Sequence, residues 1–116
     1  MSKKTFTERL AMFLATYAEQ NATLQNFIIE AMEFYVSPVG QANQLAALLN
    51  AVSNSAKART KLVGVRQYIQ THCNVLISHK DGQIVCNAPK DTGKTYKLPV
   101  DDNGKVIPWN VWVKPA

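Results

Sequence analysis

At 116 residues the chain is one domain, long enough to bury a sizeable core without disulfide or metal staples. A composition of 47% hydrophobic and 18% charged residues sits in the ordinary globular range, and no apolar run approaches the roughly 20 residues that cross a bilayer. Three Lys or Arg stand against four Glu in residues 1–51, but ten stand against four Asp in residues 52–116. The basic second half therefore suits an acidic partner, either nucleic acid or the acidic face of another protein.

The opening Met-Ser-Lys-Lys-Thr-Phe-Thr-Glu-Arg is positively charged, but an amphipathic segment follows it instead of a signal-peptide apolar block. A soluble, cytoplasmic protein is the expectation, with Cys73 and Cys86 as free thiols. Thr5-Phe6-Thr7-Glu8 offers a capping box. Phe6, Leu10, Phe13, Leu14 and Tyr17 then share a face, which predicts a first helix from Phe6 to about Glu19. Asn21 or Thr23 can cap a second, whose wide apolar set (Leu24, Phe27, Ile28, Ala31, Phe34, Tyr35) implies deeper burial. Ser37-Pro38 is the clearest boundary: Pro38 suits the first turn of a third helix, with Ser37 as its cap. That helix is expected from about Pro38 to Ala51, with Leu45, Leu48, Leu49 and Val52 inward, and Ser53-Asn54-Ser55 breaking it.

The stretch from Ala56 to His72 is the pivot between a helical first half and a second half with a two-residue period. At about 100° per residue, Ala58, Leu62, Val65, Ile69 and Cys73 fall on one stripe. Lys57 and Lys61 lie on one flank of it, Arg59 and Arg66 on the other. From Asn74 the period changes to two. Val75 to Asn87 reads as a hairpin in which Asp81-Gly82 supplies the positive φ of a two-residue type I′ turn. That register pairs Lys80 with Gln83, His79 with Ile84 and Ile77 with Cys86, and puts Val75, Ile77, His79, Ile84 and Cys86 on the face toward the helices. A lone hairpin is marginal in water, so a third strand is expected at Thr95 to Val100, confined to an edge or ended by Pro99. Asp101-Asp102-Asn103-Gly104 is a turn, and Val106 to Val113 a short tail carrying Trp109 and Trp112. The fold class is thus α+β: about four N-terminal helices (residues 5–72) packed on a small C-terminal antiparallel sheet within a hairpin and basic tail (residues 74–116).

Sites of chemistry are few. Gly93-Lys94-Thr95 ends like a phosphate-binding loop, but Ala88 stands where that pattern needs glycine. Tyr-Lys-Leu-Pro then follows in place of a helix start, so the segment reads as a lysine-bearing loop. His72, Cys73, His79 and Cys86 have no zinc-site spacing, and the cysteines read as small buried hydrophobes. The eight carboxylates are scattered and no serine sits in a nucleophile elbow. No enzyme activity, metal or cofactor is expected.

The basic and aromatic residues of the second half remain. Lys57, Arg59, Lys61, Arg66, Lys90, Lys94 and Lys97 are the candidate phosphate contacts, with Tyr96, Trp109 and Trp112 as candidate aromatic contacts. Cations along a backbone and aromatic faces under bases are how single strands are held. Equally, the tryptophans can close the open end of a small domain. In a protein-binding module they would instead be interface anchors. Four helices with broad apolar faces can also exceed what a small sheet covers, which makes self-association a further expectation.

Residues 66–112 resemble the C-terminal half of small accessory proteins encoded by T7-like and other tailed bacteriophages. The shared features are an amphipathic helix ending near Tyr68-Ile69 and a short hairpin, Val75 to Cys86, with glycine in its turn. A lysine-rich segment, Pro89 to Lys97, comes next, and the end is Pro108-Trp109-Asn110-Val111-Trp112. The resemblance implies a helical N-terminal half and a binding protein that acts on host factors in the bacterial cytoplasm. The expected function is non-catalytic binding of nucleic acid by the basic half, with inhibition or recruitment of a host protein as the alternative.

Overall fold

The computed structural model describes residues 5–16, 20–37, 41–89 and 96–112. Among them the fold is α+β, with four α-helices followed by a two-stranded antiparallel sheet. Helix α1, Phe6–Thr16, opens on the expected capping box: the Glu8 amide donates to Thr5 Oγ1 at 3.2 Å, and the Thr5 amide points at the Glu8 carboxylate at 3.5 Å. Phe6, Leu10, Phe13 and Leu14 are buried on one face; Tyr17 and Glu19 lie outside the described residues. Helix α2, Asn21–Val36, buries Leu24, Phe27, Ile28, Ala31, Met32 and Tyr35. The rings of Phe6 and Phe13 close on Phe27, and beside them Arg9 Nη1 donates to Glu30 Oε1 at 2.9 Å.

Two boundaries differ from expectation. Ser37 does not open a third helix; it closes α2, its hydroxyl donating to the Phe34 carbonyl at 2.7 Å and its amide to the same oxygen at 3.2 Å. Pro38 lies outside the described residues. Helix α3, Asn43–Asn54, starts later and runs through Ser53 and Asn54, weak helix formers that a last turn tolerates. The break comes at Ser55, which is extended and whose Oγ accepts the Ala58 amide at 3.2 Å. Leu45, Leu48, Leu49 and Val52 are fully buried, because α3 packs against α1, α2 and the elements after it in the chain.

The apolar stripe of the pivot survives a change in its first turn. Residues 56–58 form a turn, Arg59–Lys61 a 3₁₀ turn, and helix α4 runs Leu62–His72. Ala58, Val65, Ile69 and Cys73 are buried and Leu62 is half-buried, so tightening to three residues per turn keeps the stripe inward.

Strands β1 (Leu76–Lys80) and β2 (Gln83–Asn87) pair in the expected register, Lys80 with Gln83 through Leu76 with Asn87. Asp81 (φ 53°) and Gly82 (φ 79°) make the turn, in the left-handed region that type I′ requires. Val75, Ile84 and Cys86 are buried against the helices, while His79 at the rim is exposed. The outer edge of β2 is covered by α3: Asn50 Nδ2 donates to the Ile84 carbonyl and the Ile84 amide donates to Asn50 Oδ1, both at 2.8 Å. One side chain thus replaces a neighbouring strand at that rung.

The third strand does not form among the described residues. Tyr96 makes a single antiparallel bridge to Cys73, with the Lys97 amide donating to the His72 carbonyl at 2.9 Å. Thr95 lies outside the described residues. Pro99 cannot continue a ladder as donor, and the chain instead folds back on itself, Val100 bridging Val106 around a turn in which Asp101 Oδ1 accepts the amides of Asn103 and Lys105. The tail then docks on α2 and α4 through one buried amide. Gln25 Oε1 accepts the Trp109 amide at 2.9 Å, Gln25 Nε2 donates to the Tyr68 hydroxyl at 3.1 Å, and that hydroxyl donates to the Ile107 carbonyl at 2.8 Å.

Candidate nucleic-acid interface

Along α4 the inward residues are Val65, Tyr68 and Ile69, and the opposite sector of Val63, Gln67, Gln70 and Thr71 is exposed. Two walls frame that sector. On one side Arg66 leans to the hairpin, Nη1 lying 3.2 Å from His79 Nε2. A guanidinium can only donate, so Nε2 is the acceptor in this contact. On the other side the tail closes in: a Cβ placed on Gly64 would lie 3.1 Å from the Trp109 ring. Glycine at position 64 is what lets the indole approach the helix backbone.

Between Glu33 and Asp81 the chain contains no Asp or Glu, and that interval contains α3, the 3₁₀ turn, α4 and β1. Lys57 and Arg59 stand exposed on the approach to α4, Arg66 beside its outer sector, and Lys80 at the hairpin tip next to Asp81. Among the described residues none of these four cations is ion-paired; the salt bridge that does form, Arg9 to Glu30, joins α1 to α2. In an aqueous setting unpaired cations raise the local concentration of anions.

The other candidate cations lie apart. Lys61 is half-buried and donates to Asn21 Oδ1 at 2.9 Å, toward the start of α2, on the opposite flank from Arg66 as the helical geometry predicts. Lys97 sits beyond the last turn of α4, roughly 16 Å along the helix axis from its start. It neighbours Tyr96, whose phenol Glu33 helps to hold up. Lys90 and Lys94 lie outside the described residues.

The candidate aromatic contacts are half-buried and pack against the core. Burial pushes the Tyr96 phenol up to about 12, and its hydroxyl is buried. The Trp109 ring packs on Gly64 with its Nε1 buried, and Trp112 meets the rings of Tyr68 and His72 edge-on at 5.9 and 4.9 Å. These rings hold the tail to α4, and Trp112 also lines an open cleft with Val106, Ile107, Pro108 and Val111.

A cleft of about 380 Å³ lies between the end of α2, the start of α3 and β2, lined by Tyr35, Gln41, Asn43, Cys86 and Asn87. Burial pushes the Cys86 thiol up to about 11 and that of Cys73 to about 12, so neither thiol is a ready nucleophile or metal ligand at neutral pH. Among the described residues no group of three or more His, Cys, Asp or Glu converges to hold a metal ion, and no helix is long and apolar enough to cross a membrane.

Comparison with family models, with curated proteins and with solved structures finds no match to this chain.

The charge pattern of the sequence marks the cations and passes over Val63, Gln67, Gln70 and Thr71. A signal for them exists nonetheless: a run of 47 residues, 34–80, without a carboxylate, whose exposed α-helix positions other than Val63 are neutral and polar. Asn50 and Gln25 have no such signal, since their partners lie 34 and 84 residues away.

Proposed function

We propose that the chain is a non-catalytic nucleic-acid-binding protein that presents α4 and the residues leading into it to its ligand. The observation that carries this reading is the run without Asp or Glu from residue 34 to 80, within which Lys57, Arg59, Arg66 and Lys80 carry no ion pair among the described residues. Such an excess of one charge costs the folded chain some self-repulsion, which a polyanion relieves. Lys97 lies outside this run, and Lys61 is held to Asn21; both contribute less. The resemblance of residues 66–112 to accessory proteins of tailed phages fits a small protein that engages nucleic acid in a bacterial cytoplasm.

The test is the salt dependence of binding to labelled oligonucleotides. Four phosphate contacts give a log–log slope of about −3 to −4. Lys57→Ala and Arg59→Ala each reduce that slope by about one. A flat salt response, or no binding at low ionic strength, removes the proposal.

A second reading rests on Val63, which is 66% exposed in the middle of the cationic face, and on the exposed Val100 and Val111 of the tail. An acidic host protein with an apolar centre would match that pattern. A pull-down that keeps a bound protein after nuclease treatment, with a purified chain indifferent to oligonucleotides, favours it.

A further inference from the structure

We infer that residues 99–112 are a strap that lifts off α4 as one unit while the helices and the hairpin stay folded, with Gln25 as its latch. The inference does not rest on the nucleic-acid reading. It concerns the one face of α4 whose cover the structure itself shows.

The first observation is where the strap's hydrogen bonds go. Its backbone bonds mostly to itself: the Asp101 amide donates to the Lys105 carbonyl at 2.8 Å, that of Gly104 to Asp101 at 3.0 Å and that of Ile107 to Pro99 at 2.9 Å. The amides of Val111 and Trp112 both donate to the Pro108 carbonyl, at 3.0 and 2.9 Å. Just upstream, Tyr96 and Lys97 are pinned to the end of α4 by the bridge to Cys73 and the bond to the His72 carbonyl. Beyond Lys97, two hydrogen bonds join the strap to the body among the described residues, and they meet at one point. The Trp109 amide donates to Gln25 Oε1, and the Tyr68 hydroxyl donates to the Ile107 carbonyl. Gln25 Nε2 donates in turn to that same hydroxyl. A segment bonded within itself and tied at one point comes away when that point opens.

The second is how weakly the rest of the strap is held. Within residues 99–112 no side chain is fully buried: Ile107, Pro108, Trp109 and Trp112 are half-buried, and Val100, Val106 and Val111 are exposed. Trp109 Nε1 is buried and has no hydrogen-bond partner among the described residues. Desolvating an unpaired N–H offsets part of what its ring gains by leaving water. The body is held differently, with Ile28, Leu48, Leu49 and Ile69 wholly enclosed. Local stability follows apolar enclosure, so the strap opens at a lower free energy than the body.

The third is that the body keeps its own supports when uncovered. The strap lies along Gly64, Tyr68 and His72, a stripe at i, i+4 and i+8 of α4. Val65 and Ile69, which are fully buried, lie about 100° round the helix from that stripe, and α4 packs on both α2 and α3. With the strap lifted, Gln25 Nε2 can hold the Tyr68 hydroxyl while water replaces the Trp109 amide at Oε1. Opening therefore uncovers Tyr68 and the two indoles without emptying the core. A short turn-linked pair of segments is marginal in water, so the strap frays once it is off the body.

Trp109 and Trp112 are the two tryptophans of the chain, so indole fluorescence reads the strap while far-UV circular dichroism reads the helices. In urea titration of the full chain the fluorescence transition is expected to precede the dichroism transition. Gly64→Ala sharpens the test: the position is ordinary helix, where alanine is the better former, but its Cβ would lie 3.1 Å from the Trp109 ring. The variant is expected to red-shift the fluorescence without urea and to hold or raise the dichroism midpoint. Exchange of the Trp109, Val111 and Trp112 amides is expected to quicken together by about tenfold, with the amides of α2 and α3 changed by no more than about twofold. Coincident fluorescence and dichroism transitions in the parent chain overturn the inference. So does a Gly64→Ala variant that leaves the fluorescence unchanged, lowers both midpoints equally, loses its helices or exchanges faster throughout.

Discussion

Helices α3 and α4 are nearly equal in length, twelve and eleven residues, and neither contains a carboxylate, yet they do opposite work. α3 has no charged residue and is almost entirely enclosed; its one polar side chain that reaches across the fold, Asn50, is saturated by Ala46 and Ile84. α4 buries half its circumference and leaves Gln67 and Gln70 in solvent without partners among the described residues. A polar residue on a helix is informative by where its hydrogen bonds go. Those satisfied inside the protein specify the fold, and those left open are available to a ligand.

Substitutions separate the two helices on that basis. Leu48→Ala in α3 opens a cavity at a fully buried site and is expected to lower unfolding stability by about 3 kcal/mol in urea titration. A loss under about 1 kcal/mol would mean that α3 is not the centre of the core. Asn50→Ala strips the Ile84 amide and carbonyl of their partner and is expected to cost about 1–3 kcal/mol, with faster amide exchange confined to the hairpin. Uniform exchange across all elements would contradict the assigned role of Asn50 as a substitute strand.

Alkali probes the same enclosure. Burial raises Cys73 to about 12 and Cys86 to about 11 from an ordinary value of 9.0. Between about 9 and 12 the unfolded chain releases protons that the folded chain still holds, so stability is full below that window and falls as pH rises through it. The Cys73→Ala/Cys86→Ala variant should show a shallower decline from about pH 9 upward; the raised phenols of Tyr35, Tyr68 and Tyr96 account for the rest of it. Last in size, Gln67→Ala is expected to change stability by no more than about 0.5 kcal/mol, as for an exposed residue with no partner. A larger loss would show that the outer face of α4 belongs to the fold and not to a ligand.

What the sequence discloses about this fold is what local chemistry decides. The Thr5–Glu8 cap and the Asp81-Gly82 turn act within four residues, and both stand where the pattern puts them, down to the pairing of Ile77 with Cys86. The placing of Lys61 and Arg66 on opposite flanks comes from helical geometry alone. Ser37 misleads because a serine beside proline is equally good at ending one helix and starting another, and the choice lies with distant packing. The expected third strand stops short at Pro99, which has no amide to donate, and the chain turns back so that Val100 bridges Val106. For Trp109 and Trp112 the sequence leaves open whether they close the end of the domain or anchor a partner; Gly64, Tyr68 and His72, on a helix some forty residues earlier, supply packing partners within the fold. The candidate interface was legible as charge and illegible as shape.

The Gln25 clamp carries a consequence for how the molecule is made. Its hydrogen bond to the Trp109 amide joins residues 84 apart, and the same amide group steadies Tyr68 between α2 and α4. The helical part alone therefore lacks the group that completes its α2–α4 junction. A chain cut before Trp109 is expected to leave the Gln25 oxygen with only water to bind, so docking of the tail is the step that dries this seam.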